Sequence, residues 1–122
     1  MKIFDNVAQL RLARLGTGQL VKTKGYYTAN DGGGAEYIIV ASGTGTDDGG
    51  SYLDLALNQA ELIKSSLPSI TQYGASPSAT AAQNSASIQA CWNANKSTTA
   101  PIGVFQFDTP LAYVQVNGWS FS

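Results

Sequence analysis

The chain contains no histidine, one cysteine and few charges, and each shortage removes a class of function. Without histidine, the commonest general base and the commonest transition-metal ligand are both missing. With Cys91 alone, no intrachain disulfide can form, and a cysteine nucleophile has no histidine to activate it. Its place in an apolar stretch between Ala90 and Trp92 fits a buried, inert thiol. No run approaches the ~20 consecutive apolar residues of a membrane helix. Met1-Lys2-Ile3-Phe4-Asp5 lacks the apolar core of a signal peptide, so a soluble protein made in a cytoplasm is expected. Seven basic and eight acidic side chains give a net charge of −1, which argues against a nucleic-acid binder.

The scarce charges are also unevenly placed. Thirteen of the fifteen fall within residues 1–64, leaving Lys96 and Asp108 for residues 65–122. Globular domains keep roughly a quarter of their residues charged. The second half therefore presents a surface of Ser, Thr, Asn, Gln and Gly, or a surface covered by partners. The 43% hydrophobic content is ample for a packed core.

What is present reads as strands, turns and two helices. Val7 to Leu15 is rich in helix formers, with Asp5 as N-terminal cap, Gly16 as stop, and Phe4, Val7, Leu10 and Leu15 as the buried stripe. Gln19 to Lys24, Glu36 to Ala41, Ser51 to Ala56 and Ala60 to Ile63 read as strands. Asn30-Asp31-Gly32-Gly33-Gly34 and the cluster from Gly43 to Gly50 are turns, because Asn, Asp and Gly tolerate positive φ. Residues 1–64 are thus a small β-rich head, an antiparallel meander with one helix. Residues 65–70 read as a linker, Pro68 setting an extended approach. In residues 71–122 a helix capped by Asn84 or Ser85 runs to about Asn95, followed by strands at Val104–Phe107, Ala112–Val116 and Trp119–Phe121. Turns at Thr109-Pro110 and Asn117-Gly118 separate those strands. A strand pattern that runs to the last residue but one is expected of a piece of something longer.

Candidate chemistry is thin. Gly43 and Gly45 would need a third glycine where Asp48 stands, so they make no phosphate loop. Asp31, Asp47 and Asp48 could offer oxygens to calcium but lack the ladder of alternating ligands, and aspartate in turns is common. Glu36, Asp54 and Glu61 lie on strands, where a glycosidase would need two carboxylates about 5–9.5 Å apart across one cleft. A wet sheet face is the ordinary use of such residues. Tyr26, Tyr27, Tyr37, Tyr52, Tyr73, Trp92, Tyr113 and Trp119 could stack on sugars, but they are scattered, as core or interface residues are. No catalytic, cofactor or metal site is expected.

Two stretches resemble a known family. Phe4-Asp5 through Gly25-Tyr26-Tyr27-Thr28, Asp31-Gly32-Gly33-Gly34, Glu36-Tyr37 and Asp47-Asp48-Gly49-Gly50 resembles the N-terminal region of bacteriophage tailspikes and capsule depolymerases. Tyr73-Gly74-Ala75 with Asn84 through Ala90 is similar to the N-terminal cap of a pectate-lyase-type right-handed β-helix, although Ser78-Ala79-Thr80-Ala81-Ala82 replaces that family's Gly-Asp-Gly…Asp motif. The resemblance implies a mainly β fold with two short helices, the head leading into the cap and first coil of a parallel β-helix. It further implies a homotrimer in the phage tail, docked on tail, baseplate or adaptor proteins, with host surface polysaccharide met by a later part of the spike. The family's catalytic carboxylates lie on later coils, so none maps onto this chain. Two alternatives are a depolymerase part whose interfacial cleft borrows Asp54 or Glu61, and a small carbohydrate-binding module that uses Trp119.

Overall fold

The computed structural model describes residues 1–64 and 68–95, together with the backbone of residues 98–99 and 116–117. Strand β1 (Lys2–Phe4) precedes helix α1 (Val7–Leu12); β2 (Leu20–Thr23), β3 (Glu36–Val40), β4 (Tyr52–Asp54) and β5 (Gln59–Leu62) follow. After residues 65–67 come a 3-10 helix (Ile70–Tyr73) and helix α2 (Ala81–Asn95). β6 (Thr98–Thr99) and β7 (Val116–Asn117) pair in parallel. The other strands expected beyond residue 103 lie outside the described residues.

The five-stranded sheet has the order β1-β2-β3-β5-β4, which corrects the expected meander in two ways. β1, not foreseen, adds in parallel to β2, with Ile3 opposite Lys22. β5 enters between β3 and β4, so the chain passes from β3 to the far edge before turning back. Burial explains this choice: Gln59, Ala60 and Leu62 are buried, as a central strand requires, whereas Asp54 on β4 is exposed and suits an edge. A short connection, Leu55 N–H to the Asn58 carbonyl at 2.8 Å, closes the β4–β5 hairpin.

One face of the sheet carries the core. Val21, Tyr37, Ile39, Leu53, Ala60 and Leu62 are buried there with Val7, Leu10 and Leu15. The same cluster takes in Ile70, Tyr73, Ala75, Ile88 and Cys91, so the segments on either side of residues 65–67 share one core. Each large side chain buried in this way contributes on the order of 2 kcal/mol.

The first helix is shorter than its composition suggests. Its cap is Asn6, not Asp5; the Asn6 side chain accepts from Gln9 N–H at 2.8 Å, while Asp5 lies 3.7 Å from the Lys24 ammonium. It ends at Leu12 and not near Gly16. A further turn would bring Arg14 onto the stripe begun by Val7 and Leu10; leaving the helix lets Leu15 reach the core instead. Phe4 packs on the core from β1 and not from a helix. α2 begins before the expected Asn84: Thr80 and Gln83 exchange side-chain-to-backbone bonds at 3.2 and 3.0 Å, a reciprocal cap. Asn84 is inside the helix and fully buried.

Candidate functional site

The residues that carried the resemblance come together as a seam of loops on the core side of the sheet. In the first loop Asp31 reaches back to its own backbone. Its two oxygens accept from the N–H groups of Tyr26 (2.9 Å), Tyr27 (2.8 Å), Thr28 (3.1 Å) and Gly33 (2.8 Å). Burial acts to raise the Asp31 pKa, but these backbone donors outweigh it and hold the carboxyl below its ordinary value. Asn30 (φ 66°) and Gly32 (φ 87°) supply the left-handed conformations that turn the chain about the carboxylate. Gly25 is packed so closely on the Thr28 carbonyl that a Cβ could not be accommodated.

The second loop repeats the device. Asp48 accepts from Gly50 N–H at 3.0 Å and Ser51 N–H at 2.7 Å. Asp47 accepts from Gly49 N–H (3.0 Å) and Asp54 N–H (2.9 Å), and it receives the Arg11 fork at 2.6 and 3.3 Å. Burial would raise the Asp47 pKa; the Arg11 hydrogen bond and the backbone donors overcome it and lower the pKa. β4 is a sheet edge, and its Asp54 N–H is occupied by this loop.

Tyrosines join the two loops to the segment after residue 67. The Tyr26 hydroxyl donates to the Gly49 carbonyl at 2.7 Å, and burial raises its pKa to about 12, so it stays a donor. The Tyr27 hydroxyl donates to the Gly74 carbonyl, and the two rings meet edge to face at 4.8 Å. The Tyr73 ring lies on Gly50, where no Cβ would fit, and its hydroxyl meets Ser51 and Asn95. Thr71 donates to the Gly32 carbonyl at 2.8 Å and Gln72 to that of Gly34 at 3.3 Å. The Gly-Tyr-Tyr…Asp-Gly-Gly-Gly…Asp-Asp-Gly-Gly pattern is therefore a joint, each residue type being fixed by a contact.

The other candidates are placed apart. The oxygens of Asp31, Asp47 and Asp48 are turned to backbone donors in two different loops, which is the ordinary turn use of aspartate. Among the described residues no group of three or more His, Cys, Asp or Glu side chains is arranged for a metal ion. Asp54 and Glu61 sit on the outer sheet face, diagonal neighbours in the β4–β5 register, accepting from Gln59 (2.8 Å) and the Tyr52 hydroxyl (3.2 Å). Glu36 lies on β3 opposite Lys22 and lines a different, open depression of about 670 Å³. Cys91 is buried in the core. Tyr37 and Tyr73 are core residues, Trp92 is half-buried, and Tyr113 and Trp119 lie outside the described residues. Sequence reasoning missed Thr71, Gln72 and Asn95 in the joint. The spacings Ser69-x-x-Gln72 and Thr80-x-x-Gln83, both reciprocal caps, were the signal available for the turns that present them. No helix among the described residues is long and apolar enough to cross a membrane.

Comparison with known proteins fits this architecture. No curated protein matches the chain. Tailspike protein 2 of Escherichia coli O157:H7 bacteriophage CAB120 matches in structure with a TM-score of 0.64 at 22% identity, covering 81% of this chain and 13% of that one. Tailspike protein gp49 of Acinetobacter baumannii bacteriophage Fri1, a capsular polysaccharide depolymerase, gives 0.68 at 23% identity over 84% of this chain and 20% of that one. Pantoea stewartii WceF, a glycan biofilm modifying enzyme with a tailspike-like parallel β-helix fold, gives 0.65 at 17% over 80% and 15%. These identities speak for a shared fold, and the chain spans only 13–20% of the length of those three proteins. Residues 3–93 match the model of the phage tail protein small four-stranded β-sheet domain, whose four strands correspond in number to the antiparallel set β2 to β5. The sheet, the joint and that match together make this chain a member of that family of phage tail proteins.

Proposed function

We propose that the chain is the front module of a tailspike, which trimerises and anchors a receptor-binding or polysaccharide-degrading spike to the virion. In this reading residues 1–64 are the virion-binding head, residues 65–70 connect, and residues 71–122 cap and begin the β-helix. The partners are tail, baseplate or adaptor proteins on one side. Host surface polysaccharide is met through a part of the spike beyond this chain, which is made in the host cytoplasm and itself cleaves no glycan.

The observation that supports this best is the joint. Tyr26, Tyr27, Thr71, Gln72 and Tyr73 fasten the loops of the sheet to the turn that feeds α2, so sheet and helix are coupled through polar and packing contacts. Such coupling suits an adaptor that must transmit force and orientation between two bodies. The test is the native mass by sedimentation over a dilution series. A stable species near three times 12.8 kDa is expected, together with no turnover of capsular or lipopolysaccharide glycan. A well-folded monomer at all concentrations would overturn the trimer.

A second reading rests on Asp54 and Glu61 sharing the outer face. If they complete a depolymerase cleft between subunits, Asp54→Ala or Glu61→Ala in the full spike abolishes activity while the trimer stays intact.

A further inference from the structure

Helix α2 is held along most of its length by buried side chains, but its last turn is not. Ser85, Ile88 and Cys91 are buried, whereas no residue from Trp92 to Asn95 is. That turn leads toward β6 (Thr98–Thr99), which forms a short parallel ladder with β7 (Val116–Asn117). A helix end without side chains in the core needs another restraint if the ladder is to stand at a set angle to the sheet.

One side chain supplies it. Asn95 Nδ2 donates to the Cys91 carbonyl at 2.8 Å and to the Tyr73 hydroxyl oxygen at 3.0 Å. A carbonyl only accepts, which assigns nitrogen to this position and occupies both of its N–H groups. The Tyr73 oxygen thus accepts from Asn95, and its own hydrogen turns to Ser51 Oγ. Ser51 N–H is in turn held by Asp48 at 2.7 Å. Tyr73 is 2% and Ser51 7% exposed, so water does not compete for the central link. A directed chain of hydrogen bonds therefore runs from the end of α2 to the second aspartate loop.

We infer that Asn95 is a positioning residue, a latch that fixes the last turn of α2 on the sheet and sets the angle of the β6–β7 ladder. Packing of Ile88 and Cys91 holds the helix, and the latch holds its exit. This inference rests on reading residues 71–122 as the cap and start of a β-helix, and adds the side chain that orients that start.

The test is amide hydrogen exchange and residual dipolar couplings of the 122-residue chain carrying Asn95→Leu, Ser51→Ala or both. Leucine keeps the size of asparagine and removes both donors, while Ser51→Ala cuts the chain at its far end. The wild-type amides of β6 and β7 are expected to be protected. Asn95→Leu is expected to speed their exchange about ten-fold and to change their couplings relative to those of β3 and β5. Exchange in β3 and β5 stays as in the wild type. Ser51→Ala acts in the same direction, and the double variant loses no more than Asn95→Leu alone, because the chain is already broken. A purely structural role would speed exchange in sheet and ladder alike and leave their relative couplings unchanged. That result, unchanged ladder exchange in Asn95→Leu, or additive losses would overturn the latch and leave the β-helix reading standing. An unprotected wild-type ladder overturns both.

Discussion

Residues 1–64 and 68–95 solve the same problem with different chemistry. Both must hold irregular backbone close to a core, where each unpaired N–H or C=O is costly. The first region uses carboxylates: Asp31, Asp47 and Asp48 each gather converging backbone N–H groups. The second has no Asp, Glu, Lys or Arg and uses amides. Asn84 accepts from Ser76 N–H at 2.9 Å and donates to the Ser76 carbonyl at 3.0 Å; Asn95 donates to the Cys91 carbonyl at 2.8 Å. A carboxylate accepts only, so it suits a loop whose N–H groups point to one spot. An amide does both and can clip a donor and an acceptor of one residue without burying charge. The low charge of the second region is thus partly a consequence of how its backbone is satisfied, and sensitivity to acid should be confined to the first.

The largest effects are expected where the two regions touch. Gly50→Ala drives a Cβ into the Tyr73 ring, and Gly33→Ala drives one into the Thr71 carbonyl. Each should cost about 3 kcal/mol or more in urea unfolding, since backbone or a buried ring must move. Gly16→Ala, with open space around it, should change stability by no more than about 0.5 kcal/mol. Equal effects at Gly16 and Gly50 would mean that the joint contributes little. Next comes Asn84→Ala, which leaves the Ser76 N–H unpaired and its C=O with the Ala79 N–H alone, and should cost about 2 kcal/mol, equally at pH 3.5 and pH 7.

Exchanging the chemistries sharpens the contrast. Asn84→Asp keeps the acceptor but sets a second oxygen against the Ser76 carbonyl, in a fully buried site. Its folded-state pKa is then raised above the unfolded value of about 3.9, so the variant loses stability as pH rises through the folded value. The wild type behaves in the opposite sense. Asp31 and Asp47 have lowered folded pKa values, so their contribution is full above an unfolded value of about 3.9 and is lost as pH falls through the folded ones. Asp31→Asn should cost about 1–2 kcal/mol at pH 7 and flatten that acid limb. Urea midpoints at several pH values distinguish the slopes; identical slopes for Asp31→Asn and wild type would show that Asp31 is not one of the groups responsible.

The sequence was informative where one side chain settles a local choice. Glu36-Tyr37-Ile38-Ile39-Val40 reads as a strand because its alternation and β-branching need nothing from elsewhere, and the structure has Tyr37 and Ile39 inward. The turns at Asn30–Gly34 and Gly43–Gly50 were legible for a similar reason, and Asn30, Gly32, Gly43 and Gly49 do adopt positive φ. The sheet order was not, because it depends on which strand is buried on both faces, a property of Gln59 and its neighbours in three dimensions. β1 is three residues long and, among the described residues, pairs with β2 alone, too short to show a period. Asn84 looks like a cap in sequence; only the position of Ser76 shows that it is a clip. The joint was visible as a resemblance, whereas its physical cause, carboxylates turned to their own backbone and glycines without room for a Cβ, needed coordinates.

The smallest effect tests whether the first region is held by charge pairing or by backbone donors. Arg11 and Asp47 form the tightest ion pair among the described residues, 2.6 Å at its shorter contact, with side chains 34% and 22% exposed. Such partly exposed pairs contribute about 0.5–1 kcal/mol, and less at high salt. Arg11→Lys keeps the charge but loses the two-pronged geometry and the contact to the Asp54 carbonyl. The expected loss is therefore about 0.5 kcal/mol, diminishing between about 0.05 and 0.5 M NaCl. Asp47→Asn should cost more than Arg11→Lys at both salt concentrations, because it also weakens acceptance from Gly49 and Asp54 N–H. If the two substitutions cost the same and fade together with salt, the aspartates serve mainly as charges. The contrast with the amide-held region would then be one of electrostatics and not of hydrogen-bond chemistry.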